Sequence, residues 1–172
     1  AYYPFTKETA IDWLDDFDNL IIMRTFSKAM ALAGVRVGFT VSHPEIAAQI
    51  EKFLMTFRLP TVTSVIIDEV LENHDYMEGY VADIVKERGR LFSRLQQFKE
   101  LRVFPSEANF LLVRTANSTE VCKRMMNHGI LIRNIDNGTS LKDCFRVNVG
   151  LPEENDAFIA TLKIILDEMS DE

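Results

Sequence analysis

The chain has 172 residues, 47% of them hydrophobic and 26% charged, with a formal net charge of −7; this predicts a packed core and excludes both a disordered chain and a nonspecific binder of nucleic-acid backbone, which needs a basic surface. Two distant cysteines, Cys122 and Cys144, with no CxxC spacing, indicate neither a disulfide framework nor a zinc site and fit inert thiols in a reducing, cytoplasmic compartment. No apolar run reaches the roughly 18 residues of a membrane span, so no membrane partner is expected.

The first residues, AYYPF, read as the end of a buried strand and the loop after it, which predicts that part of a longer protein precedes them. Ile11, Trp13, Leu14 and Phe17, set among aspartates, predict a short helix over 11–18. NLIIMRTFS predicts a buried strand of the parallel type, and VRVGFTVS a second strand of alternating character. SHPEIAAQIEKFLMTF opens a helix with Pro44 in its first position and Ser42 or His43 as cap. RLPTVTS interrupts it, and Thr63 or Ser64 caps VIIDEVLEN. A long amphipathic helix is expected over 76–98, with Tyr80, Ile84, Leu91, Leu95 and Phe98 along one side. RVFPSEANFLLVRT predicts a strand entered through a turn. STEVCKRMMNHG predicts a helix capped by Ser118 or Thr119 and stopped by Gly129. ILIRNI and CFRVNVG predict strands around the turn NGTSL, and PEENDAFIATLKIILDEM a last helix with Phe158, Leu162, Ile165 and Met169 inward.

This order divides the chain into 1–45, the last strands of one sheet, 46–75, connecting helices, and 76–172, a compact α/β domain. His43, His74 and His128 have no partner at metal-ligand spacing, and no metal site is predicted. Asp15, Asp16 and Asp18 read as a solvated helix face rather than a catalytic acid pair.

The segment TFSKAMALAGVRVGF, Thr25 to Phe39, concentrates chemistry. A lysine desolvated at a strand exit is a nucleophile that forms Schiff bases with carbonyls. Hydroxyls such as Thr25 and Ser27 and a guanidinium such as Arg36 suit a phosphate, while Gly34 and Gly38 let backbone approach closely. Lys28 and Arg36 thus read either as an aldehyde site beside a phosphate site or as solvated cations on a loop. Arg146, between apolar neighbours in FRVNVG, is costly to bury unless it meets an anion. Arg133, flanked by isoleucines, is expected to be partly buried, for a structural ion pair or for a ligand.

TFSKAMALAGVRVGF, with its Ser-Lys, small-residue stretch and G-x-R-x-G, resembles the cofactor-lysine segment of the fold-type I pyridoxal-phosphate aminotransferases, most closely the histidinol-phosphate aminotransferases. AYYPF, SEANFLLVR, GILIRNI and FRVNVGLPEEN resemble further family segments, so the likeness covers essentially the whole chain. It implies an α/β fold, the end of a large pyridoxal-phosphate transferase domain followed by the complete small C-terminal domain of an aspartate-aminotransferase-like protein. It implies pyridoxal 5'-phosphate as cofactor. Lys28 would hold it and move the proton between the substrate α-carbon and the cofactor; Ser27 and Arg36, assisted by Thr25, would bind its phosphate; Tyr2 would hydrogen-bond its phenolic oxygen. Arg146, and with it Arg133, would grip the acidic end of the substrate, with Asn109 near the entrance.

The implied parent reaction is amino transfer between a small amino donor, histidinol phosphate, and the 2-oxo acid 2-oxoglutarate, in a homodimer that binds no nucleic acid. Another class I/II aminotransferase or a threonine-phosphate decarboxylase would use Lys28 and Arg36 alike. RLPTVTS departs from the family's Pro-x-Asn-Val-Asn-like loop, which weakens the substrate assignment. The acid that pairs with the pyridinium nitrogen is expected two positions before Ala1, and the ring-stacking aromatic farther upstream. The chain is therefore expected to be a C-terminal half that is inactive in isolation.

Overall fold

In the computed structural model, which describes residues 1–171, the chain forms two compact units, Ala1–Val81 and a second beginning at Ala82. The first holds a helical turn α1 (Tyr3–Thr6), strands β1 (Ile21–Thr25) and β2 (Gly38–Ser42), helices α2 (Pro44–Phe53) and α3 (Thr61–Glu72), and the start of α4 (His74–Leu95). β1 and β2 pair antiparallel, from Ile21 opposite Ser42 to Thr25 opposite Gly38. The parallel reading of NLIIMRTFS is thus corrected, as is its full burial, since β1 alternates exposed and half-buried positions. A parallel neighbour needs a crossover that carries the chain back along the sheet. Residues 26–37 instead fold back on themselves with a single 3-10 turn, Ala33–Val35.

The helix expected over 11–18 contracts to a 3-10 turn, Ile11–Trp13, and Trp13 is exposed. Aspartates are poor in helix interiors because their side chains compete for nearby backbone groups, and three of them follow Leu14. α2 starts at Pro44 with His43 as its N-cap residue, as expected, and ends at Phe53, short of Phe57. α3 starts at Thr61 after Pro60, two residues earlier than the nearer expected cap.

The second unit continues α4 and adds β3 (Arg102–Phe104), β4 (Phe110–Arg114), α5 (Ser118–Asn127), β5 (Arg133–Asn134), β6 (Cys144–Asn148) and α6 (Pro152–Asp171). Its sheet has the order β3-β4-β6-β5, antiparallel throughout. The turn expected at the entry of the strand in RVFPSEANFLLVRT has a strand on its other side too, so the segment is a hairpin. Pro105 ends β3, and Ser106 closes the turn by donating to the Phe110 carbonyl at 2.6 Å and accepting from the Ala108 N–H at 3.1 Å. α5 is capped by Asn117, in left-handed backbone at φ 56°, rather than by Ser118, which is fully buried as the first helical residue. Asparagine tolerates that conformation better than most residues.

Strand alternation sends Leu111, Val113, Phe145 and Val147 to one face of the sheet, where they meet Leu91 and Leu95 of α4, Val121 and Met125 of α5, and Phe158, Leu162 and Ile165 of α6. Met169 packs at the margin of this core. The opposite face sets arginines beside aromatics. Arg102 lies 4.9 Å and Arg114 5.6 Å from the Phe104 ring centre, and Arg146 lies 5.0 Å from that of Phe110. Cys144 is a buried free thiol on β6; burial pushes the half-buried Cys122 thiol up to about 11. No helix among the described residues is long and apolar enough to cross a membrane.

One polar network crosses this unit's helices. Asn155 on α6 clamps Gly150, accepting from its N–H at 3.0 Å and donating to its carbonyl at 2.9 Å, and it donates to the buried Glu87 of α4 at 3.0 Å. Glu87 also accepts from Arg90 at 2.8 Å, and Arg90 continues to Asp156 at 2.6 Å. Hydrogen bonds from Arg90 hold the Glu87 carboxyl below its usual 4.5, against burial, which pushes the other way, and with help from Asn155. A folded value below the unfolded one gives stability that is full above pH 4.5 and lost as pH falls through the folded value. Urea midpoints measured from about pH 6 down to about pH 3 should therefore fall on the acid side, and Glu87→Gln should flatten that fall.

Candidate active site

In the first unit the chemistry gathers on the loop between β1 and β2. Its neck is closed by the Phe26 N–H donating to the Val37 carbonyl at 3.1 Å. Leu32 N–H reaches back to the Phe26 carbonyl at 3.0 Å, and Ala31 N–H to the Lys28 carbonyl at 3.0 Å. Phe26 and Ala29 are buried and anchor the loop, while Ser27 and Lys28 between them are half-buried. Thr25 braces the entry: its Oγ1 accepts from the Ser27 N–H at 3.1 Å and donates to the Val37 carbonyl at 3.4 Å.

Arg36 stands at the far end, exposed, with Nη1 donating to the Ala33 carbonyl at 3.0 Å. Its backbone is left-handed at φ 58°, as is that of Ala31 at φ 54°. Such conformations cost a residue with a Cβ on the order of 1 kcal/mol each. Gly38 is required for another reason: a Cβ there would sit 2.5 Å from the Arg24 carbonyl oxygen.

Thr25, Ser27, Lys28 and Arg36 thus belong to one closed loop. Tyr2 lies in the same unit, half-buried at the entry to α1, its ring 6.3 Å from that of the buried Phe5. Sequence reasoning passed over Arg24, although a lone charge inside the apolar run IIMRT was a signal for it. Its guanidinium lies 3.9 Å from the Tyr3 ring centre.

In the second unit Arg133 on β5 and Arg146 on β6 are direct cross-strand partners. Both line a cleft of about 710 Å³ with Ile130, Ile132, Asn148 and Gly150. Arg133 is exposed, not partly buried as its flanking isoleucines suggested, because β5 is an edge strand of two residues. Arg146 is half-buried, and its Nε is buried with no hydrogen-bond partner. A buried donor without an acceptor costs about 1–3 kcal/mol, and like charges on facing strands repel. An anion in the cleft would relieve both. Asn109, half-buried just before β4, is not among the residues lining the cleft; its carbonyl accepts from the Val149 N–H at 2.9 Å.

The structure gives His74 a neighbour that the sequence reading denied it, Glu78 one helical turn on, at 4.0 Å. With Asp75 they form an exposed trio at the start of α4, a common arrangement of surface charges.

The lysine loop fits a phosphorylated aldehyde in its donor chemistry: an amine, a guanidinium and the Ser27 hydroxyl on one closed loop whose strand end admits no side chain at Gly38. The model of the family described as aminotransferase class I and II matches residues 1–162. A histidinol-phosphate aminotransferase from Chlorobaculum tepidum is 40% identical over 164 residues, which are 95% of this chain and 47% of that protein. The crystal structure of the histidinol-phosphate aminotransferase from Clostridium acetobutylicum superimposes with a TM-score of 0.89 at 26% identity, covering 98% of this chain and 53% of that one. That of the Sinorhizobium meliloti histidinol-phosphate aminotransferase, solved in complex with pyridoxal-5'-phosphate, gives 0.86 at 28% identity, covering 98% and 48%. The chain spans about half the length of the curated relatives it matches.

Proposed function

The chain belongs to the class I and II aminotransferase family, and from that premise we propose that it is the part of a pyridoxal-phosphate-dependent aminotransferase that carries the cofactor lysine. When bound, the cofactor draws off the negative charge that develops at the substrate's α-carbon. Lys28 would hold the cofactor's aldehyde carbon through Nζ until the substrate's own amine takes that place, and the released amine would then carry the proton at the substrate α-carbon. Arg36 and the Ser27 hydroxyl bind the cofactor phosphate, with Thr25 bracing the loop beneath them. Tyr2 hydrogen-bonds the phenolic oxygen. Arg146 and Arg133 take the substrate's acid group, and Asn109 stands near the substrate entrance.

The amino donor is histidinol phosphate, by analogy with the 40% identical relative named for it, and the acceptor is 2-oxoglutarate, as the family resemblance implies. The parent protein works as a homodimer in the cytoplasm. The observation that carries the reading is the closed loop that puts Ser27, Lys28 and Arg36 between two paired strands.

The test is covalent trapping. The chain is incubated with pyridoxal 5'-phosphate, reduced with borohydride, digested and mapped by mass spectrometry. A pyridoxyl adduct on Lys28 is the expected result. Adducts confined to other lysines, or none, would overturn the reading.

A further inference from the structure

Strand β1 carries a second connection beside the lysine loop. Arg24, the residue before Thr25, is half-buried and turned to the N-terminal segment. Its Nη2 donates to Thr9 Oγ1 at 2.6 Å, and its guanidinium carbon lies 3.9 Å from the Tyr3 ring centre. Thr9 Oγ1 also accepts from the Ile11 N–H at 3.2 Å, so the contact reaches both ends of the segment between α1 and the 3-10 turn. The Arg24 carbonyl, in turn, is the group against which Gly38 closes the lysine loop.

α1 cannot hold itself. It has four residues, and a single helical turn is unstable alone. Two bonds within it, Phe5 N–H to the Tyr2 carbonyl at 2.9 Å and Lys7 N–H to the Tyr3 carbonyl at 2.7 Å, tie Tyr2 to whatever fixes Tyr3 and Phe5. Phe5 is held by burial. Tyr3 is 38% exposed, and Arg24 is the charged group stacked on it.

We propose that Arg24 is a positioning residue: it staples the segment from Tyr2 to Thr9 onto β1 and thereby fixes Tyr2 for the cofactor that the adjoining loop binds. This rests on the assignment of Lys28 and Tyr2 to a pyridoxal-phosphate site. A guanidinium both stacked and hydrogen-bonded is already committed, which argues against Arg24 as a ligand for the phosphate itself. Lysine cannot replace it, since the ammonium lacks the planar face and the fork.

The test has one readout without cofactor and one with it. Arg24→Met and Tyr3→Ala are compared with the unaltered chain and with Tyr3→Phe, which keeps the ring. Hydrogen exchange at the Phe5 and Lys7 amides is expected to quicken about tenfold in the first two, the scale of one lost cation–π contact with its hydrogen bond. Pyridoxal 5'-phosphate, followed by its absorbance, should bind about tenfold more weakly in the same two. Adding Tyr2→Phe to Arg24→Met should weaken binding less than Tyr2→Phe does alone, since the two act through one contact. Tyr3→Phe should leave exchange and binding unchanged.

Unchanged exchange in Arg24→Met and Tyr3→Ala would overturn the staple. Faster exchange with unchanged cofactor binding would overturn its positioning role. An unaltered chain that forms no borohydride-stable adduct overturns the Lys28 assignment, and this inference with it. An adduct present throughout, with none of the Arg24 effects, overturns this inference alone. Tyr3→Ala breaks the same contact from its partly exposed side, so its result stands if Arg24→Met fails to fold.

Discussion

Lys28→Ala is expected to abolish amino transfer in the protein that contains this chain. Removing a positioned proton-transfer group alone costs about 10²–10⁴-fold in rate, and in the proposed role the same amine would also hold the cofactor. The loop itself should survive the change. Its bonds run through the Lys28 carbonyl, the Phe26 amide and carbonyl, and the Thr25 hydroxyl, none of which the side chain supplies. Circular dichroism should therefore match that of the unaltered protein while turnover disappears. Lys28→Arg should not rescue, because a guanidinium stays protonated and cannot act as the nucleophile. A small exogenous amine should restore part of the rate in Lys28→Ala. Turnover in Lys28→Ala within about tenfold of the unaltered protein would exclude an acid–base role for this side chain.

The largest effect on stability is expected at Phe145. It is fully buried as the second residue of β6, among side chains from β4 and from the helices over that face. Phe145→Ala removes most of an aromatic ring that its neighbours cannot replace, at a cost of about 3–5 kcal/mol. That is a large share of the roughly 5–15 kcal/mol that keeps a domain folded. Urea unfolding should show the loss as a lower midpoint with an unchanged slope. Phe145→Leu keeps most of the volume and should cost less than about 1.5 kcal/mol. A loss below about 1 kcal/mol in Phe145→Ala would mean that this face of the sheet is not the core. Arg146 follows Phe145 on β6, so a disturbed strand should also loosen the arginine cleft.

Local chemistry made much of the fold legible. Pro44 marked the start of α2, Gly129 followed the end of α5, and the spacing of Phe158, Leu162 and Ile165 gave the inner face of α6. What was missed depended on groups distant in sequence. A buried-strand pattern in β1 could not say which way its neighbour runs, because that is decided by how residues 26–37 return. In RVFPSEANFLLVRT the turn was legible, but not that Arg102–Phe104 before it would pair as a strand with the one after it.

The candidate site divides in the same way. Ser27, Lys28 and Arg36 were singled out by the resemblance of their segment to a family motif, and the structure sets all three on one loop. Arg133 was misjudged as partly buried, since edge position is a property of the sheet and not of the flanking isoleucines. The unpartnered Nε of Arg146 and the stacking of Arg24 on Tyr3 are tertiary facts with only weak sequence signals.

The left-handed backbone at Ala31 and Arg36 has a consequence for affinity. Glycine at both positions would relieve the strain but would admit many more loop shapes, each of which a ligand would have to select against. With a Cβ at each position and cross-loop bonds already made, the loop is preorganised. An arriving phosphate has little ordering entropy to overcome, and more of the contact energy becomes net affinity.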